Sequence, residues 1–435
     1  MKILVIGSGG REHALIWALK QNSASPLKVY CAPGNAGIAS LGECVNISAD
    51  DHFALREFAR SNAIDLTIVG PEVPLANGIV DEFQSGGLKI VGPSQAAARL
   101  ESSKAFAKDF MQRHALPTAD YVVAHSRDEA LAAVRSARFG DTNAPVVVKA
   151  DGLAAGKGVI VARSRAEAER AIVELSSGSV VAQESASRIL IEEALEGREV
   201  SVLLFADGQD YALMPAARDH KRIGENDTGP NTGGMGAITD ASIIDGETVE
   251  QIVREVVEPT LNGAVKEGFP FRGVLFIGLM LTAAGPKVLE YNVRFGDPET
   301  QAILIRLESD LVEIFQALVD GRLRDVDVRW RAGSSACVVL ASGGYPAAYQ
   351  TGALIAGLDR VIVGPALQVF HAGTSWSERG ELVTAGGRVL GITAWQPTLD
   401  AALARCYEAV DRINWPGKQY RRDIGRFEPH QQAGG

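Results

Sequence analysis

At 435 residues the chain is too long for one hydrophobic core, and roughly three domains are expected. Its 46% hydrophobic and 22% charged residues are ordinary for a soluble globular protein, and a net charge of −10 with scattered Lys and Arg argues against an extended nucleic-acid footprint. No apolar run reaches the ~18 residues of a membrane span, no signal peptide precedes the first strand, and Cys31, Cys44, Cys337 and Cys406 show no C-x-x-C spacing, so reduced thiols in a cytoplasmic protein with no membrane partner are expected.

In chain order, Lys2–Ile6 is predicted as a strand, Gly7–Gly10 as a turn and Arg11–Lys20 as a helix. Strands follow at Val29–Ala32, Leu66–Val69 and Lys89–Val91, with helices at Phe53–Ala59 and Ile79–Gln84. Short apolar runs alternating with helical periods point to a parallel sheet covered by helices, whose ligands bind beyond the carboxyl ends of the strands. A helix is predicted over Ser102–Gln112, then a second α/β unit from Tyr121 to Ala186. Strand Ile189–Glu193 follows. Long strands from Glu199 to Leu311 surround one helix, Thr248–Glu267, and Val274–Leu281 reads as a buried strand. Gly321–Arg331 is a charged connector. Ser334–Gly425 is strand-rich, with a helix at Leu399–Asp411.

The densest chemical signal lies between two strands, in Lys149-Ala-Asp-Gly-Leu-Ala-Ala-Gly156-Lys157-Gly158. Glycines let backbone N–H groups close on phosphate oxygens, and lysines follow them as point charges. The loop is one residue short of a Walker A motif, lacks its Ser/Thr and leads back into a strand. It therefore reads as a flap folded over a nucleotide, with an ordinary glycine hairpin as the alternative. Glu290 and Asn292, two apart on a strand, share a face. A carboxylate plus an amide oxygen suits a hard cation already held by phosphates, and Arg294 continues the row. The alternative is a polar strand edge with a salt bridge.

Gly7-Ser-Gly9-Gly10-Arg11-Glu12-His13 follows a strand and opens a helix, so its amides face any anion placed there. Glu12 occupies the third glycine position of a dinucleotide fingerprint, and a sugar phosphate fits better than NAD. Arg218-Asp219-His220-Lys221-Arg222 precedes a glycine-rich loop, Asp227–Gly236, which reads as a binding loop or a disordered one. His220 is a candidate general base without an identifiable partner. The run Glu192-Glu193-Ala-Leu195-Glu196-Gly-Arg-Glu199 ends a strand where exposed backbone can read an adenine edge and Glu199 can accept from ribose hydroxyls.

At these residues the sequence resembles the ATP-grasp superfamily, and within it the glycinamide ribonucleotide synthetase (phosphoribosylamine–glycine ligase) family. The matching segments are Gly7–His13, Ala32–Gly37, Val69–Pro74, Lys149–Val159, Asp219–Arg222, Asp227–Gly236, Leu289–Gln301 and Phe370–Thr374. The resemblance implies an α/β and α+β multidomain chain. Residues 1–101 would form a substrate-binding domain, 102–328 an ATP-grasp domain with a lid at about 121–188, and 329–427 a small β-rich domain. It implies ATP-dependent ligation of glycine to 5-phosphoribosylamine with Mg²⁺ or Mn²⁺, in a cytoplasmic monomer.

Carried over residue by residue, Lys104, Lys149, Gly156, Lys157 and Gly158 would hold ATP phosphates. Glu192, Glu193, Leu195 and Glu199 would take adenine and ribose, and Glu290 and Asn292 the metal. Gly9, Gly10, Arg11, Glu12, Gly34, Asn35, Pro71, Glu72, Asp219, Lys221 and Arg294 would meet the other substrates. Lys149, Lys157, Arg294, Asp219 and His220 would be catalytic. Two departures stand out: a short, polar lid segment at Ser176–Ser187, and no acidic residue on the strand Val274–Leu281 before Glu290. A related carboxylate–amine ligase or carboxylase, a hydride-transfer Rossmann enzyme and an inactive nucleotide sensor are the competing readings.

Overall fold

The computed structural model of the protein describes residues 1–141, 143–154, 158–177 and 188–426. Its first domain carries the expected parallel sheet, ordered Glu43–Cys44, Lys28–Pro33, Lys2–Gly7, Leu66–Val69 and Ile90–Val91. Successive side chains of the first strand face opposite ways. Leu4 and Ile6 enter one core, and Ile3 and Val5 another. Both faces are thus buried, which is why the strand reads as an unbroken apolar run. Gly7, Pro33 and Gly70 stand at or just beyond the carboxyl ends of its neighbouring strands, where loops are free to bind.

A separate four-stranded sheet is ordered Tyr121–Ala124, Ile189–Glu193, Val146–Ala150 and Val159–Ala162. All its pairings are antiparallel, so the second α/β unit expected here is an antiparallel layer. Helices Arg127–Arg135 and Arg165–Ser176 pack on it through Ala130, Val134, Ala168 and Ile172. Apolar periodicity identifies strands but carries no direction. Lys149 pairs with Val159, so the glycine segment is the turn of a hairpin. Gly156 and Lys157 at its tip, and residues 178–187 of the polar lid segment, lie outside the described residues.

The central sheet runs antiparallel through Gly285–Asn292, Arg272–Thr282, Arg198–Asp207, Ala217–Asp219 and Gly236–Thr239. It continues without a break into Ser334–Ala341, Arg388–Gln396 and Leu367–His371. The C-terminal strands therefore extend the central sheet, a pairing that sequence order alone does not indicate.

Two helices differ from expectation. Ser102–Gln112 is divided at Ser103 into Gln95–Ser102 and Lys104–Arg113, because Ser103 leaves the helical conformation and its Oγ accepts from Phe106 N–H at 3.2 Å. The long helix, Gly246–Ile252 continued by Glu258–Lys266, passes through a π turn at Val253–Val257. Pro259 has no N–H for the carbonyl four residues back, and the wider turn accommodates that loss.

Candidate active site

The hairpin, the central sheet, helix Lys104–Arg113 and the loops of the parallel sheet face one cleft of about 490 Å³. Helix Lys104–Arg113 is tied to the hairpin strand by Asp151, whose carboxylate accepts from Ala105 N–H at 3.1 Å. Lys104 Nζ donates to Gly152 O at 2.8 Å, at the start of the glycine turn. Lys149 Nζ lies 2.9 Å from Glu192 Oε2 and donates to Leu289 O at 3.3 Å. Lys108, one helical turn beyond Lys104, reaches that same oxygen at 2.9 Å and donates to Thr118 Oγ1 at 2.7 Å. Lys149 and Lys108 share the one Glu192 carboxylate, and with Lys104 close by the three ammoniums leave a net positive wall beside the flap. Glu192 Oε1 is buried and has no hydrogen-bond partner among the described residues.

Beside this wall stand Glu290 and Asn292, at the end of strand Gly285–Asn292. Burial raises the pKa of Glu290, but Lys221, Lys149, Lys104 and Arg294 together outweigh it and hold the carboxyl below its ordinary value. No hydrogen bond or ion pair joins Glu290 to another side chain among the described residues. Asn292 Oδ1 accepts from Arg294 Nη2 at 3.1 Å, which leaves one lone pair open. No cluster of three or more His, Cys, Asp or Glu residues that could cage an ion occurs among the described residues. One free carboxylate and one amide oxygen fit a magnesium-type ion that brings phosphate and water as its other ligands.

Arg294 is itself neutralised twice, by Glu101 at 2.9 Å and Glu72 at 3.3 Å. Burial lowers its pKa, yet Glu101, Glu72, Glu299 and Glu290 keep the guanidinium firmly charged. Arg11 reaches the cleft from the first helix, donating to Phe295 O at 3.1 Å and pairing with Glu12 at 2.6 Å. Glu12 curls back under the turn, where its second oxygen accepts from Gly9 N–H at 2.6 Å. A Cβ at Gly70 would fall 1.9 Å from Glu12 Oε1, so a side chain here would displace the Glu12 carboxylate.

Asn35 donates to Ser8 O and His371 O, both at 2.8 Å, and accepts from Gly37 N at 2.9 Å and Ile38 N at 3.0 Å. All four valences of its amide are occupied. The side chain expected to touch substrate thus clips the first glycine turn to the C-terminal part, and any substrate contact there falls to its backbone and to Gly34.

Among the expected residues, Arg11, Pro71, Glu72, Lys104, Lys149, Gly158, Glu192, Asp219, Lys221, Glu290, Asn292 and Arg294 line the cleft. Glu199 pairs with Lys221 at its edge. Glu193 ends strand Ile189–Glu193, and Leu195 lies on the link from there to the central sheet. Gly9, Gly10, Glu12, Gly34 and Asn35 form the shell behind Arg11. His220 does not join the cleft. Strand alternation turns Asp219 and Lys221 inward and His220 away, where Nε2 accepts from Gly425 N–H at 2.9 Å and Nδ1 lies 3.7 Å from Asp227. It has no reach to a reacting proton in the cleft.

Sequence reasoning missed Lys108, Glu101, Glu299 and Arg388. The i, i+4 spacing from Lys104 to Lys108 was a usable signal, since it puts both on one helical face. Arg388 was not detectable: it comes from the C-terminal part to pair with Asp297 at 3.2 Å and to donate to Gly233 O at 2.7 Å.

Three family models match the chain: the N domain (residues 1–101), the ATP-grasp (A) domain (102–300) and the C domain (335–427) of phosphoribosylglycinamide synthetase. The chain is 50% identical over 428 residues to the phosphoribosylamine–glycine ligase of Vibrio vulnificus, covering 98% of both proteins. It is also 50% identical to that of Xanthomonas axonopodis pv. citri, covering 98% of this chain and 97% of the relative. The crystal structure of phosphoribosylamine–glycine ligase from Thermotoga maritima superposes with a TM-score of 0.82 at 34% identity, covering 97% of this chain and 100% of that one. The biotin carboxylase domain of Hydrogenobacter thermophilus 2-oxoglutarate carboxylase superposes at 0.74 with 17% identity, covering 96% and 91%, a likeness of fold alone.

Proposed function

The chain belongs to the phosphoribosylglycinamide synthetase family, and from that premise we propose that its cleft joins glycine to 5-phosphoribosylamine with cleavage of ATP. The products are glycinamide ribonucleotide, ADP and phosphate, in de novo purine synthesis. One observation carries the reading. The same cleft is walled by Lys104 and Lys149, by Glu290 and Asn292, and by Arg11 and Glu72 from the first domain, so a triphosphate, an amino acid and a sugar phosphate can meet there.

A carboxylate does not acylate an amine at neutral pH until one of its oxygens becomes a leaving group. In this reading a glycine carboxylate oxygen attacks the γ-phosphorus, ADP departs and glycyl phosphate forms. The amine of phosphoribosylamine then attacks the carbonyl carbon, phosphate leaves and the nitrogen sheds its proton. Two anions must approach, so Lys104, Lys149 and Arg294, with Lys157 from the flap, hold phosphate and carboxylate together. Gly156 and Gly158 bring backbone N–H groups to the phosphates. A divalent ion, Mg²⁺ or Mn²⁺, would be held by Glu290 and Asn292 and would draw charge from the phosphate oxygens. Glu192, Glu193, Leu195 and Glu199 bind the nucleoside, with Glu192 Oε1 free to accept from an adenine amine. Arg11, Pro71 and Glu72 face the phosphoribosylamine, with Gly9, Gly10, Glu12 and Gly34 shaping its loop. Acyl phosphates hydrolyse readily, so closure of the flap against water belongs to the chemistry.

The test omits one substrate at a time from purified protein with ATP and Mg²⁺. Phosphate release should require glycine, and glycinamide ribonucleotide should form only with phosphoribosylamine present. Turnover without glycine, or a preferred amino acid other than glycine, would sink the assignment. The reading also has the enzyme working as a cytoplasmic monomer, which light scattering of the purified protein checks.

Lys108 gives this reading a pH signature. Burial lowers its pKa, Glu192 raises it and Lys149 lowers it again, for a net value of about 8. The ammonium is therefore present at pH 7 and lost as pH rises through 8, whereas a free lysine titrates near ~10.4. One positive charge leaves the cleft over that step. The value of kcat/KM for ATP, which reports the free enzyme, should fall roughly tenfold above pH 8, about 1.4 kcal/mol. In Lys108→Met it should start low and lack that limb. A limb that survives the substitution would assign it elsewhere, with Lys104, also lowered by burial, the next group in line.

A further inference from the structure

The glycine-rich segment Asp227–Gly236 supplies one arm of a small antiparallel hairpin, in which Arg222–Gly224 pairs with Thr228–Asn231 around a turn at Glu225–Asp227. The hairpin stands with its base on the cleft wall, at Lys221 on one side and Asn231, Thr232 and Gly233 on the other. Gly233 is fixed there by Tyr345 Oη, which accepts from its N–H at 3.0 Å, and by Arg388. The arm that leads from Lys221 is fixed from elsewhere.

Its support is the tail beyond helix Leu399–Val410. Arg421 is only 1% exposed and donates from Nη1 to Asp227 Oδ1 at 2.6 Å and to Arg222 O at 3.1 Å. Its Nε and Nη2 fork onto the two oxygens of Asp423 at 2.8 and 2.7 Å. Asp423 also accepts from Asn226 N–H at 2.8 Å, and Glu225 accepts from Arg422 N–H at 3.2 Å. With the bond from Gly425 N–H to His220, both chain neighbours of Lys221 are tied to this tail. A Cβ on Gly236 would meet Ile424 Cδ1 at 2.6 Å, so the glycine is what lets the tail come this close.

The turn needs such support. Asn226 and Asp227 have φ of 55° and 50°. Side chains adopt this left-handed conformation only where their surroundings enforce it, Asn and Asp more readily than most. The ties fall on these two residues, on the N–H of one and the carboxylate of the other. A planar guanidinium can hold two carboxylates and a carbonyl in one fixed geometry, which an ammonium cannot.

We propose that Arg421 is a positioning residue: with the tail to Gly425 it fixes the hairpin arm on either side of Lys221 and so sets the Lys221 ammonium in the cleft for ligation. The inference rests on the ligase reading. Arg421 itself does not line the cleft. Lys104 and Lys149 have separate supports in Gly152, Glu192 and Leu289, so loss of Arg421 separates ligation from nucleotide binding.

The experiment compares wild type with Arg421→Met, Asp227→Gly, Asp227→Asn and Lys221→Met. Arg421→Met leaves Asp423 without its cation and is read beside its thermal midpoint. Asp227→Gly is the milder variant, since the carboxylate is largely exposed and glycine accepts the positive φ. Wild-type formation of glycinamide ribonucleotide establishes the ligase reading independently. In Arg421→Met and Asp227→Gly, kcat should fall roughly 10- to 100-fold, the scale of a ~1 Å misplacement, while Kd for ADP, by calorimetry, should change less than about threefold. Asp227→Asn keeps an accepting oxygen and should recover much of the rate. Arg421→Met combined with Lys221→Met should lose no more than Lys221→Met alone, because one residue acts through the other. Amide hydrogen exchange needs no turnover and tests the tie whether or not the ligase reading holds; it should quicken across residues 220–232 in Asp227→Gly and stay unchanged in the parallel sheet. The inference is overturned if kcat in Asp227→Gly is unmoved, if the losses at Arg421 and Lys221 multiply, or if exchange in the hairpin is unchanged. It is equally overturned if ADP binding weakens as much as kcat, since the tail would then support the whole cleft.

Discussion

Replacing Lys149 by methionine is expected to lower kcat/KM for ATP by roughly 10²–10³, the usual cost of removing one preorganised electrostatic donor from a transition state. Lys149 is buried beside Glu192 and Leu289 O, in the strand that leads into the flap. Methionine keeps much of the stem and removes the charge. Removing one partner of a buried pair commonly costs about 3–5 kcal/mol of stability, but here Glu192 retains Lys108 at 2.9 Å, which moderates the loss. Lys149→Arg should restore little, because a planar fork does not fit a point-charge site between a carboxylate and a carbonyl. Steady-state rates with a thermal-unfolding control decide the matter. Unchanged kinetics in a folded variant would remove Lys149 from the triphosphate.

Glu290→Gln should be more damaging, by roughly 10³-fold or more in kcat/KM, since a metal that neutralises phosphate charge contributes several kcal/mol. The amide keeps the shape and removes the negative charge that four nearby cations hold in its ionised form. Mn²⁺ affinity in the presence of ADP should fall in parallel, and electron paramagnetic resonance reads it directly. Combining Glu290→Gln with Lys149→Met gives a second test. Groups acting on the same phosphates should not be additive, so the double variant should lose much less than the product of the two single losses. Full additivity would mean that flap and acidic strand act on different ligands.

Much of the fold was legible because it is local. The apolar run Lys2–Ile6, the turn at Gly7 and the helix behind it follow from periodicity and from glycine's freedom. The match between Lys149 and Val159 across a hairpin follows from two β-branched runs flanking a glycine segment. Glu290 and Asn292 were paired by strand period alone, and both line the cleft. The same rule applied to Asp219, His220 and Lys221 would have turned His220 away from the site.

What sequence by itself determined was the set of strands, helices and turns, the kinds of charged group available and the family they resemble, since these depend on neighbours within a few residues. Tertiary structure alone decided which charge answers which. Glu192 collects ammoniums from a helix and a hairpin over 40 positions away, and Arg388 arrives from a strand that joins the central sheet only in space. Asn35 is committed to a carbonyl 336 residues distant. Coulomb energy depends on distance and desolvation, and neither is written in the order of residues.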